Sequence, residues 1–189
     1  MKRAIVFLVA AAMVLILTGN TMAGTEAGDK EIQLQGSFSK NTNSENDNEI
    51  STSTVQISFN YFLGSNFSIG GTWRGSSSLS EPENGSNSEA TQNFLLGRAD
   101  LYLGSSTSKI MPYIGAQAGQ ISYTSESEGE KDSDSVATYG FHGGIKIFAG
   151  ENVSWNLELD RTIYEYEPDG GDTIEQYVDS FFAGFSYYF

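Results

Sequence analysis

Phe181-Phe182-Ala183-Gly184-Phe185-Ser186-Tyr187-Tyr188-Phe189 is the stretch whose reading decides the fold. Counted back from Phe189, every second residue is apolar: Tyr187, Phe185, Ala183 and Phe181. A period of two marks a β-strand with one apolar face. A cluster of exposed rings beside a terminal carboxylate gains little in water. The pattern fits a strand whose outer face meets lipid and whose end lies at a membrane interface.

The same alternation recurs upstream. Residues 32–39 carry apolar side chains at even positions, and residues 55–61 carry them at odd positions. A tight turn at Gly64-Ser65-Asn66 leads into a third run, 67–74. In residues 93–103, Leu95, Gly97, Ala99, Leu101 and Leu103 share one face, and Arg98, Asp100 and Tyr102 the other. In residues 110–123, Ile114, Ala116 and Ala118 are assigned to the lipid side, because Gln117 falls on the opposite face. Residues 136–149 set Tyr139, Phe141, Gly143, Ile145 and Ile147 against His142, Gly144 and Lys146. From Val153, the residues Trp155, Leu157 and Leu159 oppose Asn156, Glu158 and Asp160. With the closing stretch these make eight strands. Polar connections at 41–49, 75–90, 125–135 and 165–175 are expected to be long loops. The intervening ones are tight, so both chain ends should lie on the tight-turn side. The fold class is all-β: an eight-stranded antiparallel up-and-down transmembrane β-barrel.

The N-terminus reads differently. Met1-Lys2-Arg3 is basic, residues 4–17 are apolar, and Thr21-Met22-Ala23 offers small residues where a signal peptidase cuts. A bilayer-spanning helix needs about 20 apolar residues, more than this run supplies. Residues 1–23 are therefore expected to be a cleaved signal peptide, and 24–189 the barrel domain. No cysteine is present, which excludes a disulfide framework and a cysteine metal site. The net charge of -14 argues against nucleic acid as a partner.

A soluble eight-stranded ligand barrel also alternates, but it faces its charges to water. Here one face carries Arg98, Asp100, His142, Lys146, Glu158 and Asp160, and the other is almost wholly apolar. Aromatic residues gather at both strand ends. Tyr61, Phe67, Tyr113, Trp155, Tyr187 and Phe189 lie toward the tight turns. Trp73, Tyr123, Tyr139, Tyr164 and Tyr177 lie toward the long connections. Two girdles around an apolar band belong to membrane barrels.

The whole chain after residue 23 resembles the small eight-stranded outer-membrane proteins of the OmpA transmembrane-domain, OmpX and Ail type. The resemblance is carried by Pro112-Tyr113-Ile114-Gly115-Ala116 and the Phe-rich closing strand. It implies a monomeric protein of the Gram-negative outer membrane, exported through the periplasm and in contact with outer-membrane lipid and lipopolysaccharide. It also implies that the barrel-assembly machinery reads the closing strand through Phe181, Phe185, Tyr187 and Phe189. The roles it suggests are envelope integrity, adhesion or surface defence, with an extracellular ligand held by the loops. A small passive pore and a lipid A-modifying enzyme are the alternatives.

Three constellations could carry chemistry. The first is an inward charge network of Arg74, Arg98, Asp100, His142, Lys146, Glu158 and Asp160. An eight-stranded lumen is only wide enough for side chains, so the network reads as a plug, with a narrow ion path as the alternative. The second is His142, the single histidine. In the lipid A deacylases a serine follows the catalytic histidine by two residues; here that position is Gly144. No catalytic, cofactor or metal residue is therefore assigned. The third is the set of sixteen carboxylates in the four long connections, which match no calcium-loop spacing and read as a solvated surface.

Overall fold

The computed structural model describes residues 25–43, 48–81, 88–105, 108–127, 130–166 and 174–189. Among them every regular element is a strand: β1 Lys30–Asn43, β2 Asn48–Gly64, β3 Phe67–Glu81, β4 Ser88–Tyr102, β5 Ile110–Ser127, β6 Glu130–Phe148, β7 Val153–Tyr166 and β8 Ile174–Tyr188. Each pairs antiparallel with its neighbours in sequence, and β1 pairs with β8 to close the barrel. Closure gives every strand two partners, so no strand is left as a wholly free edge of the sheet.

The seam between β1 and β8 runs only from Glu31↔Tyr188 to Gly36↔Ala183. It is extended at the chain-end side by Phe189, whose N–H and C=O both bond to Lys30 at 3.0 and 2.9 Å.

The strands are longer than the alternation predicts. β3 continues through Leu79 to Glu81, β5 through Thr124 to Ser127, and β6 begins at Glu130. Much of what reads as long loop in the sequence is therefore paired hairpin. The reason is physical. Apolar alternation reports the lipid, and it fades where the barrel leaves the bilayer. The backbone ladder is indifferent to that boundary, and Ser/Thr side chains keep it going. Thr52 and Thr54 bond across to Ser78 and Ser76, each at 3.0 Å.

Facing follows the period of two. Ile57, Phe59, Leu95, Phe141, Leu159 and Phe181 point outward and are exposed, whereas Gln56, Ser58, Arg98, His142, Glu158 and Phe182 are buried inside. Ile114 faces out and Gln117 faces in. Three residues assigned to the girdles do not belong there. Tyr113 and Tyr164 are buried in the lumen, and Tyr123 packs against a buried cluster inside it. Each shares the parity of an inward neighbour on its own strand, so the period overrides the aromatic's preference for the interface.

Inward-facing glycines let so narrow a barrel form. A Cβ at Gly119, Gly140, Gly144 or Gly184 would fall against the carbonyl oxygen of Leu95, Arg161, Leu157 or Leu34, far inside contact distance. Such glycines mark tight bends where two backbones approach. Outward-facing Gly36, Gly71, Gly97 and Gly143 have ordinary room.

Candidate functional site

The lumen holds the chemistry, in layers. At the end carrying Phe189, Phe62, Tyr102, Met111, Tyr113, Phe148 and Tyr188 pack into one buried, largely aromatic layer. Its rings pack as tilted pairs, with centroids 5.2 Å apart for Phe62–Tyr102 and 5.4 Å for Phe148–Tyr188. The segment before β1 tucks against this layer. Gly28, with a φ of 100°, turns the chain so that its N–H reaches the Phe62 carbonyl at 2.8 Å. Buried Thr25 then donates to the Ser65 carbonyl at 2.7 Å.

Above the aromatic layer, Lys146 pairs with Glu31. Its ammonium also lies over the rings of Tyr102, Tyr113 and Tyr188, at 5.3–5.9 Å. The second polar layer centres on Arg98. Its guanidinium donates to Asp100 at 3.1 Å and to Glu158 at 3.0 Å. Tyr113 donates to Glu158 at 2.7 Å, and His142 Nε2 lies 2.5 Å from Asp100. In the third layer Arg74 donates to Asp160 at 2.9 Å, and its guanidinium lies over the rings of Phe94 and Phe182, at 5.2 and 4.8 Å. Gln117 donates to the same Asp160 at 2.6 Å.

Gln56 joins the second and third layers. Its amide nitrogen donates to Glu158 at 3.0 Å, and its carbonyl oxygen accepts from Arg74 at 2.9 Å. Beyond the third layer a second apolar cluster closes in, made of Phe94, Leu96, Ile121 and Tyr164 with Tyr123, Val136 and Val178 against it.

All seven residues singled out for the lumen therefore face inward, in three linked groups. Lys146 takes Glu31, which the sequence reading passed over, and the bridging roles of Gln56, Gln117 and Tyr113 were not foreseen either. The parity of β1 could have found Glu31, since Glu31, Gln33 and Gln35 are all buried on its inner face. The cross-lumen bonds of Gln56 and Gln117 leave no local signal, because they join strands 102 and 43 residues apart.

Asp100 and His142 make a hydrogen-bonded pair, the second half of a Ser-His-Asp arrangement. Among the described residues no serine bonds to the histidine. Ser68 lies on the aspartate instead, at 3.5 Å, and His142 Nδ1 is buried without a protein partner. Most of the loop carboxylates, from Glu45 through Asp172, fall outside the residues whose side chains are described. Among the described residues no group of three or more His, Cys, Asp or Glu is placed to hold a metal ion.

On the outer wall Phe181, Tyr187 and Phe189 are exposed, Phe185 is half-buried, and Tyr187 stacks on Phe189 at 6.2 Å. Arg161 and Asp179 form an outward ion pair, with Nε and Nη2 each donating at 2.6 Å.

Comparison with known proteins agrees with this architecture. Neisserial surface protein A is 13% identical, with a TM-score of 0.62, over 85% of this chain and 98% of that one. OprG of Pseudomonas aeruginosa is 14% identical, with a TM-score of 0.56, over 88% and 98%. The N-terminal barrel of Pseudomonas aeruginosa OprF is 13% identical, with a TM-score of 0.52, over 87% and 98%. At these identities the likeness is one of fold. No curated protein matches by sequence. The family model for the outer membrane protein beta-barrel domain matches residues 9–189. A closed eight-stranded barrel, apolar outside and charged inside, is thus assigned by sequence and by shape alike, and the chain belongs to the outer membrane protein beta-barrel domain family.

Proposed function

We propose that this outer-membrane barrel is a non-enzymatic structural protein that carries paired polar hairpins at the cell surface and does not conduct. One observation supports this above the others. The charged lumen is bounded by the Phe62–Tyr188 aromatic layer at one end and the Phe94–Tyr164 cluster at the other. An ion crossing it would have to break the Arg98–Glu158 and Arg74–Asp160 pairs. Separating such pairs in a low-dielectric interior costs several kcal/mol.

With residues 1–23 as a signal peptide and the aromatic layer at the periplasmic rim, the hairpins β1–β2, β3–β4, β5–β6 and β7–β8 project outward. Their ladders carry the connecting segments out to the surface, where they can meet a ligand. Planar-bilayer recording of the full-length mature protein tests the reading. The expected result is a quiet membrane. Sustained unitary currents that disappear when the protein is omitted would replace it with the pore.

A further inference from the structure

The chain enters β1 through a tight turn, Glu26-Ala27-Gly28-Asp29. The Asp29 N–H donates to the Glu26 carbonyl at 3.2 Å, and the Asp29 carboxylate accepts the Glu26 N–H at 2.8 Å. Gly28 holds the third position with a φ of 100°, where a type II turn needs a positive φ and so favours glycine. The turn is tied to β2 by two backbone bonds. Gly28 donates to the Phe62 carbonyl at 2.8 Å, and Phe62 donates to the Asp29 carbonyl at 2.9 Å.

Glu26, Ala27 and Gly28 are exposed, yet Thr25 beyond them is completely buried. The turn thus sends the chain back over the mouth of the barrel. There the Thr25 hydroxyl donates to the carbonyl of Ser65, between β2 and β3, at 2.7 Å. The same oxygen lies 3.8 Å from the sulfur of Met111. Met111 is the first inward residue of β5, so no earlier side chain of that strand covers it from the mouth. Its exposure is nevertheless zero.

We infer that residues 25–29 form a lid on this mouth, which opens and closes without unfolding of the strands and seals Met111 beneath Thr25. Segments with few buried contacts and exposed backbone open locally, at less cost than the whole fold. The lid has one buried side chain and two backbone bonds to Phe62. The β4–β5 ladder below it is paired from Glu89↔Glu126 to Tyr102↔Tyr113. The consequence of sealing is protection of a thioether. Methionine sulfoxide is polar, and on Met111 it would sit among Phe62, Tyr102, Phe148 and Tyr188.

Met111 is also the reporter. The other methionines, Met1, Met13 and Met22, fall in the segment read as a signal peptide. Gain of one oxygen atom by the mature protein therefore reports Met111. Dilute hydrogen peroxide, which gives one oxygen atom to the sulfur and leaves water, is applied to the protein folded in detergent micelles. Amide exchange in the β4–β5 ladder is followed in parallel. Wild-type Met111 is expected to oxidise far more slowly than free methionine. Thr25→Val keeps the volume but loses the bond to Ser65, and should oxidise about fivefold faster. Thr25→Ser should keep the wild-type rate. Gly28→Val places a β-branched residue at positive φ and should oxidise about tenfold faster. Exchange in the β4–β5 ladder should stay unchanged in all three. Should Gly28→Val fail to fold, the near-isosteric Thr25→Val decides alone. Wild-type oxidation as fast as free methionine would overturn the lid, and so would equal rates in wild type and Thr25→Val. A rise in ladder exchange by the same factor as oxidation would also overturn it, because Met111 would then be reached by unfolding of the barrel.

Discussion

Arg98 on β4 and Glu158 on β7 meet across the lumen, Nη2 to Oε2, at 3.0 Å. The bond ties together strands that share no ladder. Both side chains are almost fully buried, and Asp100 and Tyr113 complete the cluster. Removing the cation strands two carboxylates in the interior. Arg98→Met is therefore expected to cost about 3–5 kcal/mol. Glu158→Gln keeps an acceptor for Arg98 and Tyr113 and should cost less, about 1–3 kcal/mol. Urea unfolding in lipid vesicles orders the two; the reverse order would mean that the charge on Arg98 is not what holds the layer.

Gly143 and Gly144 are adjacent but face opposite ways. A Cβ on Gly144 would meet Leu157 O and the Tyr113 ring, whereas one on Gly143 meets only ordinary contacts. Gly144→Ala is expected to lower stability by about 1–3 kcal/mol through overpacking, and Gly143→Ala by less than about 0.5 kcal/mol. Thermal unfolding of the two variants in one detergent settles the comparison. Similar losses would mean that the inward bend is not what demands glycine.

His142 bonds to Asp100 and to no serine among the described residues. His142→Ala is expected to leave the lipid A of expressing cells unchanged by mass, while lowering barrel stability by about 1–3 kcal/mol through the lost bond to a buried carboxylate. A lipid A species that appears with the wild-type protein and vanishes in the variant would make the barrel an enzyme.

Phe189 joins two separable roles. Its backbone makes two hydrogen bonds to Lys30 at the seam, and its ring is exposed beside Tyr187. Deletion loses both, but Phe189→Ala keeps the backbone bonds. If the ring is read during assembly, Phe189→Ala should reduce the protein recovered in outer membranes several-fold. Its refolding from urea into vesicles should shift by less than about 1 kcal/mol. Normal recovery of Phe189→Ala in cells would remove the ring from assembly.

Sequence by itself determined the barrel. A period of two, read from Phe181 to Phe189 and back through seven earlier runs, sets the strand number, the inward or outward sense of most residues and the antiparallel order, because lipid on one side and a crowded lumen on the other impose opposite chemistry on adjacent residues. That is why the alternation alone directs Arg74, Arg98 and His142 inward.

Tertiary structure alone decided the partners and the strand ends. Lys146 takes Glu31 at a separation of 115 residues. Gln56 bridges Arg74 and Glu158, since closure brings β2, β3 and β7 around one lumen. The polar ends of β3, β5 and β6 stay paired beyond the apolar band, because a backbone ladder persists where side-chain patterning no longer reports it. Tyr113 and Tyr164 go inward by parity against their apparent place in the girdles. A linear pattern records which face a residue takes; which residue waits across the lumen depends on curvature and register, and those exist only once the sheet has closed.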